Sequence, residues 1–179
     1  ATGLSNPTRA SRHLVEQYHE VAFHLPYSTT VRALVREATD VNKEAPLLIC
    51  SFGFIADKYA HPPANFMRAA KKHLGDYTLV VIDHPTSAPF ILDNKQPSWG
   101  GIEEGWILTE IAKQLQERYH PSSTHLIGVS MGGLGAIHAA YRGEGIIDSV
   151  LAFSPVTDPN VVMGRVFRAL GSEALYGKR

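Results

Sequence analysis

Apolar positions along this chain fall into short unbroken runs separated by stretches with helical spacing. Four runs, "PLLICSF" (46–52), "YTLVVID" (77–83), "THLIGVS" (124–130) and "IDSVLAFS" (147–154), are rich in Val, Ile and Leu and close at Gly, Pro, Asp or Ser. Runs of that kind predict strands buried on both faces. Between them, "PANFMRAAKKHL" ends before Gly75, "GIEEGWILTEIAKQLQERY" ends before His120 and Pro121, and "GGLGAIHAAYR" ends before Gly143, each with the spacing and stop signals of a helix. Strand and helix alternate, so the fold class is α/β: a mainly parallel sheet with right-handed crossovers and helices on both faces. Ligand chemistry is then expected at the carboxyl ends of the strands.

Upstream, "HEVAFHLPY" and "TTVRALVREA" fit an antiparallel hairpin at the sheet edge, although periodicity alone also allows a helix for the second. Residues 85–101, "PTSAPFILDNKQPSWGG", are rich in Pro, Ser and Gly and predict a long loop over the site. After "SPVTDP" the tail "NVVMGRVFRALGSEALYGKR" reads as one amphipathic helix with a frayed end.

The length of 179 residues, 44% of them hydrophobic, suits one domain over 1–179, with its core at about 20–160. Seventeen basic residues balance seventeen acidic ones with no long run of either sign, so a nucleic-acid or anionic-membrane partner is not expected. The one cysteine, Cys50, lies inside an apolar run and reads as a buried structural thiol. No stretch approaches the ~20 apolar residues of a membrane span. The compartment stays open.

Candidate chemistry centres on Gly128-Val129-Ser130-Met131-Gly132, a G-x-S-x-G with a strand pattern before it and a helical pattern after it. A serine held in a tight strand-to-helix turn needs glycines two residues to either side, because side chains there would meet neighbouring backbone. At that helix start the serine oxygen projects into the cleft, and the Met131 amide points to where an oxyanion would form. The bland alternative is a glycine-rich turn that binds phosphate or nothing. Against it, the P-loop lysine and the G-x-G-x-x-G spacing are both absent.

With these residues in view, the chain resembles the α/β-hydrolase superfamily over residues ~20 to 160. "GVSMGG" looks like that superfamily's nucleophile elbow, which makes Ser130 the implied nucleophile and Met131 N–H an implied oxyanion donor. "CSFGFIAD" resembles the loop that gives the second oxyanion amide, from Phe54 here, and "VVIDHPTSAP" resembles the next strand and its Asp-x-Pro-Gly type of loop. Phe52 stands where many members have histidine, and Thr86 where many have glycine. The resemblance implies no metal and no organic cofactor.

A serine hydroxyl needs a base, and an acid to orient that base. The superfamily presents nucleophile, acid and histidine in that order, yet the only histidine after Ser130 is His138, eight residues into the following helix and expected to be structural. His84, just past a strand that should neighbour the nucleophile's strand, is an alternative base, with a loop residue before Pro85 as the simpler account. His61 reads as an exposed loop residue. Asp158 is a candidate acid, with an Asx turn before Pro159 as the simpler account, and Asp57 and Asp83 read as turn residues. Either the chain is the amino-terminal portion of a larger hydrolase, with acid and histidine supplied by a missing carboxyl-terminal segment or a second chain, or it is a minimal protein that has lost acyl chemistry. The tail at 161–179 would begin a lid or cap, or cover the sheet edge left at "VLAFS".

The expected function is a serine hydrolase that cleaves a carboxylic ester or thioester through an acyl-enzyme on Ser130. Phe54, Ile55, Tyr59, Phe90 and Trp99 would give the mouth an apolar lining, and core packing is the simpler account of each singly. The rival is a noncatalytic binding or assembly module, or an inactive fragment, on the same fold.

Overall fold

The computed structural model describes residues 17–40, 44–96, 101–158, 160–162, 164, 165 and 168. Six strands form one sheet: β1 (His19–Leu25), β2 (Thr29–Arg36), β3 (Leu47–Ser51), β4 (Thr78–Ile82), β5 (Thr124–Val129) and β6 (Ser149–Phe153). The helices are α1 (His61–His73), α2 (Ala88–Asn94), α3 (Gly101–Tyr119) and α4 (Met131–Arg142). The spatial order is β1-β2-β4-β3-β5-β6. From β4 to β6 neighbouring strands run parallel, whereas β2 pairs antiparallel with both β1 and β4. The edge hairpin therefore forms as expected, with β1 outermost.

β2 shows why its pattern was ambiguous. Val31, Ala33 and Val35 point to one core and Leu34 to the other, so apolar residues occur on both faces and the period of two is blurred. On one side of the sheet, α2, α3 and α4 cover Ile49, Val80, Ile82 and Leu126; on the other, α1 lays Ala64, Met67 and Ala70 over Cys50, Leu79 and Val81. β3 and β4 are covered on both faces, as their unbroken runs predict.

Two expectations need correction. β5 and β6 are not buried on both faces: β5 alternates, and β6, the last described strand of the sheet, leaves Leu151 51% and Phe153 50% exposed. Residues 85–101 are not one long loop, because α2 lies within them. Ser87 caps that helix by accepting the Phe90 N–H, and Pro89 falls where a helix start tolerates proline.

The chain order places the site. After β3 the chain moves outward to β4, then returns to lay β5 on the other side of β3. The carboxyl ends of β3 and β5 thus flank a topological switch point, where connections part and leave a crevice. Ser51 pairs with Gly128 at that end, which brings the loop after β3 and the turn after β5 together.

Candidate active site

Ser130 links β5 to α4 with φ 58 and ψ −119, a conformation that side chains rarely adopt. Its neighbours impose it. Ser130 N–H donates to the Phe153 carbonyl at 2.9 Å, and its own carbonyl accepts from Gly133 N–H at 3.0 Å and Val156 N–H at 3.1 Å. A Cβ on Gly128 would fall 2.3 Å from the Gly132 carbonyl oxygen, and one on Gly132 would fall 2.3 Å from that of Ser51. Both glycines are therefore steric requirements of the turn. The Ser130 hydroxyl is not spent on capping α4. The Met131 amide is the first of that helix, with no carbonyl one turn behind it, at the positive end of the helix dipole.

The loop after β3 passes directly beside this serine. A Cβ on Gly53 would stand 3.0 Å from Ser130 Cβ and 3.4 Å from Oγ, so any side chain there would crowd the serine. Ala56 N–H donates to the Gly53 carbonyl at 3.0 Å and closes a tight turn through Phe54 and Ile55, with Ile55 at φ 57. Phe54 is half-buried and Ile55 is 62% exposed. Phe52 is buried with its ring edge-on to Phe66, which anchors the start of the loop.

A second loop, after β4, holds the first. Ile55 N–H donates to Thr86 Oγ1 at 2.8 Å, His84 N–H to the Ala56 carbonyl at 3.1 Å, and Lys58 N–H to Asp83 Oδ1 at 2.8 Å. Lys58, only 2% exposed, also sends Nζ to Asp83 Oδ2 at 2.8 Å and to Glu20 Oε2 at 3.3 Å. Burial pushes the Asp83 carboxyl above its usual range, and the Lys58 ammonium pulls back only part of that rise. Glu20 is also disfavoured by burial, yet the Tyr59 hydroxyl and Lys58 hold it below its ordinary value. Asp83 is thus more than the turn residue expected of it.

His84 is fully buried. Its Nδ1 lies 2.6 Å from Thr86 Oγ1, and its Nε2 stands 3.1 Å from Glu104 Oε1 without the alignment of a hydrogen bond. Among the described residues no histidine hydrogen-bonds Ser130. His138 packs over Gly101 and Gly105, where Cβ atoms would meet it at 2.9 and 2.6 Å. Asp158 accepts from the Asn160 and Val161 amides, a local cap, and is exposed. His61 is exposed, as the first residue of α1 rather than within a loop. Phe90 belongs to the core beneath the sheet and not to the mouth; Tyr59 is half-buried, and Trp99 lies outside the described residues. No group of three or more His, Cys, Asp or Glu among the described residues could hold a metal ion, and no described helix is long and apolar enough to cross a membrane.

Residues 13–178 match the model of the Esterase family. The chain belongs to the Esterase family. No curated protein matches the sequence. Among solved structures, this esterase-family chain is similar to a bacterial membrane phospholipase A, at 24% identity and TM-score 0.58 over 82% of this chain and 42% of that one. It is similar to a thermostable carboxyl esterase from Bacillus coagulans at 16% identity and TM-score 0.59, covering 75% and 43%. The α/β hydrolase GrgF from Penicillium sp. sh18 is similar at 18% identity and TM-score 0.61, covering 90% and 56%. These likenesses establish an α/β-hydrolase fold, and the chain spans roughly half the length of each of those proteins.

Sequence reasoning missed Lys58 and Glu104. A lysine in "IADKYAH" carries no signal of burial. Glu104 did carry one, since it falls with Gly101, Gly105, Leu108, Ile111, Ala112 and Leu115 on the buried stripe of α3.

Proposed function

We propose that this esterase-family chain carries the nucleophile and both oxyanion donors of a serine hydrolase acting on a carboxylic ester or thioester. Ser130 Oγ attacks the carbonyl carbon as its proton passes to a histidine base. The carbonyl oxygen becomes an oxyanion held by the Phe54 and Met131 amides, and the alcohol or thiol leaves with the proton. Water then releases the acid from Ser130 by the same steps in reverse order of roles. Each oxyanion donor is worth about 3 to 4 kcal/mol of transition-state stabilisation.

The observation that carries this reading is the Ser130 backbone at φ 58, held with its hydroxyl against Gly53. A strained conformation persists only where its surroundings over-determine it, and a phosphate-binding turn has no need of one. The carboxyl esterase and the phospholipase A among the similar structures support an ester substrate, and exposed Ile55 beside Phe54 supports an apolar group near the reacting carbonyl. The base and its acid would come from a carboxyl-terminal segment outside this sequence or from a second chain.

A binding-module reading is favoured by one observation, the lack of a histidine on Ser130 among the described residues. Intact mass after treatment with a fluorophosphonate, beside a Ser130→Ala variant, separates the two. A single adduct absent from the variant supports an activated serine. Absence of any adduct, with the full-length protein as well as with this chain, refutes the hydrolase reading.

A further inference from the structure

Glu104 is a buried carboxylate that the chemistry above does not use. It lies in the first turn of α3, 1% exposed, with neither oxygen aligned to a hydrogen-bond donor. Its position is nonetheless tightly defined from two sides. On one, a Cβ added to Gly135 of α4 would stand 2.9 Å from Glu104 Cβ and 3.1 Å from Oε2, so Glu104 presses on the helix that Ser130 leads. On the other, Oε1 faces His84 Nε2 at 3.1 Å.

His84 transmits that contact. Thr86 N–H donates to Nδ1 at 3.2 Å, so Nδ1 presents its lone pair and the ring proton sits on Nε2, toward Glu104. The Thr86 hydroxyl, 2.6 Å from Nδ1, has only that lone pair to donate to and is left as the acceptor for Ile55 N–H at 2.8 Å. Ile55 closes the turn that brings Gly53 and Phe54 to Ser130. A glycine at position 86 would break this chain at its middle link.

We infer that Glu104 is a positioning residue: through His84 and Thr86 it sets the Ile55 amide, and through Gly135 it sets the helix led by Ser130. The oxyanion loop and the nucleophile thereby keep one register. Stability alone does not account for the group, because burying a carboxyl whose oxygens have no aligned donor is costly next to an apolar side chain of the same volume. The consequence for rate rests on the hydrolase reading above, whereas the contacts that run from Glu104 through His84 and Thr86 to Ile55 do not.

Four variants test it. Thr86→Val removes the hydroxyl and keeps the shape, and Thr86→Ser keeps the hydroxyl. Glu104→Met removes the acceptor, and Glu104→Gln keeps one. Amide hydrogen exchange at Ile55, referenced to Val80 in β4, is measured with kcat and KM on p-nitrophenyl esters, using the full-length protein. Expected in T86V and E104M is Ile55 exchange about tenfold faster with Val80 unchanged, and kcat about tenfold lower with KM within about twofold. T86S and E104Q should restore both. Ile55 exchange that changes only in step with Val80 overturns the inference, as does unchanged kcat in a protein that turns over. Should wild type neither turn over nor label at Ser130, the hydrolase reading fails and Ile55 exchange alone decides the positioning role. If E104M does not fold, Glu104→Asp, which draws the carboxylate back from His84 by one methylene, takes its place with the same expected change at Ile55, and an unchanged Ile55 amide there overturns the inference.

Discussion

Gly132→Ala is the most severe small change the elbow offers, and its effect follows from distances. The added methyl would lie 2.3 Å from the Ser51 carbonyl oxygen and 2.5 Å from that of Phe52, where real contacts begin near 3.0 Å. Neither oxygen can retreat easily, because Ser51 ends β3, which is hydrogen-bonded to β4 and β5 on its two sides. Overpacking of this kind costs about 1 to 3 kcal/mol, and rigid backbone on the far side puts the site at the top of that range. Replacing a helical glycine by alanine returns up to about 1 kcal/mol. The net destabilisation is therefore at least about 2 kcal/mol, a fall of roughly 4 to 8 °C in Tm for a chain of this size. Two controls bracket it. Gly75 has nothing within 4 Å, so Gly75→Ala should change stability by less than about 0.5 kcal/mol; Gly145 is also open but sits at φ +79, so Gly145→Ala should cost about 1 kcal/mol through strain alone. Urea unfolding midpoints at equal m-values measure all three. If Gly132→Ala matched Gly75→Ala, the packing of the elbow on β3 described above would be wrong.

Lys58→Met strands the Asp83 carboxylate in the interior and should destabilise by about 3 to 5 kcal/mol near neutral pH. Because the folded carboxyl is already raised, the native state binds that proton more tightly than the unfolded chain does. The burial penalty is therefore full above the folded pKa and vanishes below the unfolded value of about 3.9. The K58M deficit should shrink as pH falls from neutral toward about 4 in urea titrations, and a pH-independent deficit would refute the pairing. Cys50 is fully buried, and burial pushes its thiol well above the usual range, so a thiol reagent should modify it only at the rate of global unfolding; faster modification would show a local opening of β3. Leu151→Lys places a charge on exposed β6 and should reduce self-association of this chain in sedimentation; no change would mean that the β6 edge does not mediate it.

The parts of the fold legible in the sequence are those whose environment is uniform along the element. β3 and β4 are covered by helices on both faces, so their residues are all apolar and the run is visible. α3 is long and carries one buried stripe, and its bounds were readable to the residue. β6 misled because an unbroken run suggested two covered faces, whereas "SVLAF" keeps one side chain in two substantially exposed in the described structure. α2 was hidden because proline in "TSAPF" signals a loop unless it is recognised as the start of a helix. Ser130 was legible for a steric reason: glycines at 128 and 132 are dictated by backbone contacts, so the motif records geometry directly.

The loops were not legible, and the cause is physical. Apart from the local Ala56 to Gly53 bond, the bonds that hold the 53–58 turn in place cross from one loop to another: Ile55 to Thr86, Ala56 to His84, Lys58 to Asp83. Pairings of this kind have no period and no fixed spacing, so they leave no pattern in a single chain. They also explain how a turn with Ile55 at positive φ can sit beside a serine at positive φ without a shared strand to hold both. The strain at each is opposed by bonds to the next strand outward on its own side of the switch point, the loop after β4 for the 53–58 turn and β6, through Phe153, for the elbow. A site built this way is sensitive to changes in residues that never touch a substrate. Under the proposed function, such changes should alter how fast Ser130 is acylated before they alter whether the sheet folds, because the strands that carry the loops bury their own core.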